Sequence, residues 1–361
     1  MQLDAAMLVA ALIPSWSSVL LLASYLVYLA VAGTILPSKI VPGALLSDGS
    51  RLHYRCNGLV SLFLLLVLTA TGVYMGWISP TAIADKGVEL LSATFIFSLF
   101  VSFVLHAGGS RSHNQSSSLK PYVTGNFIHD WWFGVQLNPH FMGVDLKFFF
   151  VRAGMTAWLF INLSLLAKSY LAGTANLSVF LYQLFCALYI IDYFVHEEFM
   201  TSTKVGLHAG LWRSSFHSIH LQYTGVVAFT KQSGVTKCCC NSKLLDFCVF
   251  RGANKQKHVF KKNPNAHIWG KRPKVVGGKL LASGYWGITR HCNYLGDLLL
   301  ALSFSLPCGA SSVIPFFYPI YLLILLVWRE RRDEARCSQK YKEVWAEYCK
   351  LVPWRILPFV Y

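Results

Sequence analysis

Six hydrogen-bonding side chains, Trp286, Arg290, His291, Asn293, Tyr294 and Asp297, stand within twelve residues of one another, just ahead of an apolar run that begins at Leu298. Lipid tolerates such groups only where they are buried in protein or line a wet cavity. An aromatic and basic interfacial anchor would account for Trp286 or Arg290 alone. It does not account for Asn293 and Asp297 at helical spacing beneath them, so Gly284–Asp297 (GYWGITRHCNYLGD) reads as a binding site.

A second group suits acid–base chemistry. Val179–Phe199 places Asp192 inside an otherwise apolar helix, with His196 four residues on along the same face and Glu197 and Glu198 following. An ionisable residue inside a membrane helix is a functional candidate by default; the plainer reading is a hydrogen bond to a neighbouring helix. Gly125–Pro139 (GNFIHDWWFGVQLNP) sets Asp130 beside His129 and a tryptophan pair, with Gln136 and Asn138 after them. The tryptophans suit an interfacial belt or a flat wall for a hydrocarbon substrate equally well. Near the C-terminus Asp333, Cys337, Tyr341, Trp345 and Tyr348 recur at spacings of four, four, four and three, one stripe with Arg and Lys on the other faces. A helix lying in the interface is one reading. A stripe of Asp, Cys and Tyr is a poor lipid-facing surface, however, and would suit packing over a bound ligand.

The elements that must position these residues are membrane helices. The chain has 361 residues, 55% hydrophobic and only 13% charged, with a formal charge of +16. Soluble domains carry about 25% charged residues, so an all-α polytopic membrane protein is expected. Apolar runs mark candidate spans at Ser17–Leu36, Leu59–Ile78, Leu90–Leu105, Leu146–Leu166, Val179–Val195, Leu298–Ser312 and Val313–Trp328. The first lacks a basic n-region and a cleavage site, so it reads as a span and not a signal peptide. Positive charge concentrates in Arg251–Lys279, which has no Asp or Glu, and after Arg329; the positive-inside rule puts both in the cytosol. No basic helix or aromatic sheet module accompanies that charge, which argues against nucleic acid. The scattered cysteines read as reduced core thiols, and Cys238–Cys240 with Cys248 lack the spacing of a zinc site. Leu46–Gly58 and Gly108–Leu119 read as loops.

Residues 204–248 differ from their surroundings: a single acid, Asp246, no helical or alternating period, and a Cys cluster. The expected organisation is an N-terminal membrane bundle over 1–203, this anomalous segment, and a C-terminal lobe with a tail helix over 249–361.

Taken together, GNFIHDWWFGVQLNP, FRGANKQKHVFKKNP, GYWGITRHCNYLGD and RRDEARCSQKYKEVWAEYCKLVPWRILPFVY resemble the sterol reductase family, most closely the plant Δ14-sterol reductases. The resemblance covers nearly the whole chain outside 204–248. It departs from the family's usual Arg, Pro and Arg at His140, Cys292 and Lys261. It implies an endoplasmic reticulum enzyme of about ten spans that binds NADPH without a Rossmann fold, and no G-x-G-x-x-G follows a strand-like run here. Carried onto matching positions, Lys257 and Lys261 would hold the cofactor's phosphates; two cations four apart on a helix can clamp one phosphate and favour NADPH over NADH. Leu281, Trp286, Asn293 and Tyr294 would line the nicotinamide end. Asp333, Cys337, Ser338, Gln339, Lys340, Tyr341 and Tyr348 would close over the adenosine part.

The implied reaction reduces the carbon 14–15 double bond of a sterol 8,14-diene lying in the membrane. An alkene accepts hydride poorly, so an acid first protonates carbon 15 and hydride then quenches the cation at carbon 14. Asp192, His196, Glu197 and Asp130 are the candidates for donor and stabiliser. The abrupt edges of 204–248 suggest a shifted reading frame or a mis-spliced exon where the family carries roughly two spans, which would leave an inactive variant. Rival readings are reduction of the Δ7 or a side-chain double bond, a scaffold like the lamin B receptor, and an S-adenosylmethionine-dependent methyltransferase. The scaffold's soluble domain has no counterpart in the short segment before the first span, and the Lys257/Lys261 pair has no phosphate to hold in the methyltransferase's cofactor.

Overall fold

The computed structural model describes residues 13–45, 51–111, 125–133, 139–175, 177–198, 235–305, 313 and 316–361. Two compact units emerge, Met1–Phe229 and Thr230–Tyr361, and the division between them falls inside the 204–248 segment. In the first unit the helices are α1 (Trp16–Ile35), α2 (Gly58–Tyr74), α3 (Ala82–Asp85), α4 (Gly87–Arg111), α5 (Phe127–Phe133), α6 (Leu146–Leu171) and α7 (Leu177–Val195). Among the described residues α1, α4 and α6 are long and apolar enough to cross a membrane, and α2 and the second half of α7 are shorter apolar helices.

Packing in this unit is inverted relative to a water-soluble bundle. Leu20, Val27 and Val31 of α1, Phe63 and Leu68 of α2, and Ile96 and Phe100 of α4 face outward, while Ser18, Ser61, Ser98, Ser102, Thr156, Asn162 and Ser164 are buried. Lipid gives no hydrophobic drive between helices, so small and hydroxylated residues let backbones approach and hydrogen bonds join them. Tyr25 of α1 donates to the Ala153 carbonyl of α6 at 2.6 Å, and Tyr28 to Ser61 of α2 at 2.8 Å. α6 is the central helix; its side chains Trp158, Thr156 and Asn162 are almost wholly enclosed.

Two hairpins interrupt the helices. β1 (Lys39–Leu45) pairs antiparallel with β2 (Arg51–Cys56), from Lys39 opposite Cys56 to Leu45 opposite Arg51. The loop expected at Leu46–Gly58 therefore contains a strand. Its cause is visible in alternation: Arg51, His53 and Arg55 are exposed while Tyr54 is buried against Phe148, ring centroids 5.5 Å apart. The smaller hairpin, β3 (His140–Phe141) and β4 (Val144–Asp145), turns through Met142 and Gly143, both at positive φ as a type I′ turn demands. It faces His140 towards Asp145 at 3.5 Å.

The second unit contains α8 (Val235–Lys262), β5 (Val275–Val276), β6 (Leu280–Leu281), a 3-10 turn (Gly284–Gly287), α9 (Cys292–Ser305), α10 (Phe317–Tyr341) and α11 (Glu343–Leu351). Helix α8 corrects the expectation that residues up to 248 lack helical order. It starts at Val235, because adding a residue to an existing helix costs far less than nucleating one. The span read at Leu298–Ser312 starts earlier, at Cys292, and Asn293, Tyr294 and Asp297 lie in its first turns. Cys292 is the first residue of that helix, a position that would also accept proline. The span read at Val313–Trp328 is one unbroken helix with the polar segment after it, as far as Tyr341. Lys342, at φ 48° and ψ −120°, then breaks the chain before α11. The C-terminal stripe consequently lies on two helices, although Tyr341, Trp345 and Tyr348 still stack in sequence.

Candidate functional site

Helix α8 is the platform of the second unit. It meets α9 at backbone contact: a Cβ on Gly296 would lie 2.7 Å from Phe250 Cα, so only glycine fits there. The 3-10 turn is fastened to α8 by two hydrogen bonds, Trp286 Nε1 to the Ala253 carbonyl and Tyr285 N to Gln256 Oε1, both 2.9 Å. These hold the Trp286 ring beneath Lys257, whose Nζ lies 4.2 Å from the ring centroid. Lys257 is an exposed residue; desolvation where its Nζ lies over Trp286, and then the neighbouring Lys261, lower its pKa to about 8.

Helix α10 supplies further polar groups. Tyr294 donates to Asp333 Oδ2 at 2.7 Å, and the Arg329 guanidinium lies 5.2 Å from the Tyr294 ring. Two other acids on α10 are committed elsewhere. Glu334 accepts from Arg290 at 3.1 Å through each oxygen and from Trp345 Nε1 at 2.9 Å. Glu330, fully enclosed, meets the Tyr361 hydroxyl at 3.0 Å and Arg355 at 3.5 Å. Arg290 and His291 are also fixed through their backbone N–H groups, which bond the Trp354 and Arg355 carbonyls at 2.9 Å. What remains around Lys257 is Lys261, Arg329 and Asp333, a surplus of positive charge suited to a polyanionic ligand.

The sequence-predicted cofactor residues divide. Lys257, Trp286, Tyr294 and Asp333 share this pocket. Leu281 packs with Phe260, Ile268 and Trp286 beneath it. Tyr348 donates to the Trp286 carbonyl at 3.2 Å and forms, with Val276, Trp345 and Val352, a core that Cys337 and Tyr341 border. Asn293 lies on the first turn of α9. Lys261, Ser338, Gln339 and Lys340 are exposed. Arg329 and Gln256 escaped the sequence reading; an arginine one residue beyond an apolar run looks like an ordinary boundary charge.

In the first unit Glu197 is 3% exposed and ion-paired with Arg152. Its second oxygen accepts from the backbone N of Gly58 at 3.0 Å, the first residue of α2. A Cβ at Gly58 would lie 2.3 Å from Glu197 Oε1, so glycine makes room for the carboxylate. Arg152 also donates to Asn57 Oδ1 at 3.0 Å and to the Arg55 carbonyl, and Asn57 Nδ2 reaches the Ala32, Gly33 and Leu36 carbonyls at the end of α1. Four helices are joined there, with both Glu197 oxygens already accepting hydrogen bonds.

Asp192 and His196 lie together at the end of α7, with Asp192 Oδ1 3.2 Å from His196 Nδ1. This carboxyl–imidazole pair can hold and pass one proton. Asp130 sits in its own segment, accepting from Gly125 N at 3.0 Å and close to His129 Nδ1 at 3.3 Å. Trp131 beside it bonds Ser102 of α4 at 3.2 Å and stacks on Phe103. The Trp132 side chain, Gln136, Asn138 and residues 199–234 lie outside the described residues.

An apolar helical bundle carrying a buried Arg152–Glu197 pair, and a lobe where cations gather over Trp286, are the features of a membrane protein with a candidate site for an anionic ligand. The chain belongs to the ergosterol biosynthesis ERG4/ERG24 family, whose sequence model matches residues 2–210 and 214–361. It is 61% identical to the Delta(14)-sterol reductase of Arabidopsis thaliana, over 97% of this chain and 98% of that protein. It is 38% identical to Delta(14)-sterol reductase TM7SF2 of Mus musculus, over 92% and 83% of the two chains. Against the Delta(14)-sterol reductase of Methylotuvimicrobium alcaliphilum identity is 37%, over 96% and 84%.

Proposed function

We propose that the protein is an NADPH-dependent Δ14-sterol reductase of the endoplasmic reticulum membrane, with its C-terminal tail cytosolic. The observation that carries the reading is the Lys257–Trp286 pocket with its surplus cations, set in a chain so similar to a curated plant Δ14 enzyme. Lys257, Lys261 and Arg329 would meet phosphate oxygens, and Trp286 offers a flat face to a ring. When bound, the nicotinamide cofactor supplies the hydride. The remaining work falls to this chain's own residues. The Asp192–His196 pair supplies the proton that goes to carbon 15 of the diene, and the cation left at carbon 14 is tertiary and allylic. The apolar bundle excludes water from that cation. Glu197, bound by Arg152 and Gly58, supports the end of α7 that carries the pair.

The segment 204–248 we read as part of the family's own chain, neither foreign nor a deletion. The family match, expected to stop at 203 and resume at 249, is interrupted only between residues 210 and 214, and the Arabidopsis relative aligns along 98% of its own length. The ten-span bundle of the family is part of the same proposal.

The test is expression in cells lacking their own Δ14-reductase, followed by incubation of their membranes with a sterol 8,14-diene and NADPH. The expected product has lost only the 14–15 double bond. Asp192→Asn and His196→Gln should lower turnover about 10²–10⁴-fold, as loss of a general acid does, and leave NADPH binding intact. Full activity in both variants would overturn the donor assignment. Reduction at Δ7 or in the side chain would overturn the substrate assignment.

A further inference from the structure

Trp269 is both strained and exposed. It lies in a two-residue turn across which Ile268 and Lys271 exchange both backbone hydrogen bonds, at 2.9 and 3.1 Å. Trp269 and Gly270 accordingly take φ of 50° and 74°. Glycine, asparagine and aspartate suit such a turn, whereas a bulky aromatic in the left-handed region is disfavoured. Burial does not compensate, since Trp269 remains 61% exposed. Strain of this kind persists only where the surrounding structure imposes it, and it collects at binding sites. The fastening is visible here. Ile268 is buried with Phe260, Leu281 and Trp286, and the Trp269 ring meets the Tyr285 ring edge-on, centroids 5.0 Å apart. The turn is therefore held out from the second unit with its indole showing.

The charge around it has one sign. Lys261, Lys271, Arg272, Lys274 and Lys279 are all exposed, and no acid occurs from Arg251 to Gly296. Tryptophan settles at the headgroup level of a bilayer, where one end of the ring is apolar and the other wet. Lysines and arginines beside it are drawn to anionic headgroups. Tyr285, on which the indole rests, precedes α9 and its apolar run from Leu298, so the projection belongs to the polar approach to an apolar helix. A chain already carried by membrane helices also meets lipid at high effective concentration, which an acidic protein in solution does not share. We propose that the Trp269 turn docks on the anionic headgroup surface of the bilayer, with the indole among the headgroups and Lys271 and Arg272 on their negative oxygens. This surface is independent of the cofactor reading.

The experiment places the photo-crosslinker p-benzoylphenylalanine at position 269 of the full chain. The protein is reconstituted in nanodiscs of phosphatidylcholine alone or mixed in equal parts with phosphatidylserine, irradiated, and its adducts are identified by mass. Lipid adducts should form in both discs and be about fivefold more abundant with phosphatidylserine, the value of one cation near an anionic surface. Lys271→Ser with Arg272→Ser in the same chain should remove that excess. Equal yields in the two discs would overturn the proposal, as would the absence of lipid adducts. An adduct to a peptide, of this chain or another, would show that protein covers the turn and would also overturn it. Amide hydrogen exchange of the unsubstituted chain gives a second reading that needs no probe: exchange over 267–274 should slow in the phosphatidylserine discs, and unchanged exchange would overturn the proposal whatever the probe chain does.

Discussion

The two units handle charge in opposite ways. In the first, Arg152, Glu197, Asn57 and the ends of α1 and α2 form a network in which Glu197 has an ion pair and a backbone N–H, and Asn57 caps three carbonyls. In the second, the acids Glu330 and Glu334 are spent on the scaffold, and Lys261, Arg329 and Asp333 lie about Lys257. A satisfied network holds elements together; breaking it exposes a buried charge. An unsatisfied cluster carries like-charge repulsion that a bound anion relieves. The contrast separates a joint from the proposed binding site without appeal to motif.

The largest effect should come from the joint. Arg152→Met strands Glu197 and is expected to destabilise the first unit by about 3–5 kcal/mol, read as a lowered melting temperature in detergent; a second change, Glu197→Met, should restore part of it. An unchanged melting temperature for the single variant would remove the distinction between the units. Lys257→Met should act the other way round. NADPH affinity falls about 10–100-fold, the value of a hydrogen bond to a charged group, while the melting temperature holds or rises because repulsion is relieved. Ion-pairing of this kind also predicts a pH effect. Lys257 is charged below its pKa of about 8, and a bound phosphate would raise that value, so above pH 8 binding must take up a proton. NADPH affinity should therefore be level up to about pH 8 and decline by up to tenfold per unit above it, and Lys257→Met should flatten the curve. The smallest effect is expected at Gln339, which is exposed on α10: Gln339→Ala should alter NADPH affinity less than about twofold. A larger loss would mean that the pocket extends over the outer face of α10.

Much of this was legible in the sequence because membrane helices declare themselves by composition. The helical runs beginning at Trp16, Gly58, Gly87, Leu146 and Leu177 follow the apolar stretches closely. The stripe from Asp333 to Tyr348 was found by period alone. Its break was not, since nothing about a lysine at 342 announces a positive φ; only the packing of Trp345 and Tyr348 against Val276 demands the turn. Strand β2 was hidden because a six-residue strand between two long spans looks like polar linker. The clamp at Glu197 was invisible for a different reason. Gly58, Arg152 and Glu197 are far apart in the chain; the sequence made Glu197 a candidate proton donor and singled out neither of the other two. Only the fold shows that the glycine is there to admit the carboxylate.

Helix α10 runs without interruption from Phe317, among the apolar residues, to Tyr341, beyond Asp333 and Cys337, a rod of about 37 Å at 1.5 Å per residue. With the apolar end in lipid, its depth would set the height of the groups at the other. A span too long for its bilayer tilts, and one too short sinks or thins the lipid around it, at a cost of fractions of a kcal/mol per Å. In a thicker, sterol-rich leaflet Asp333 would be drawn towards the surface, and in a thin one it would stand clear. The height of Asp333 would then follow the thickness of the bilayer around the apolar end.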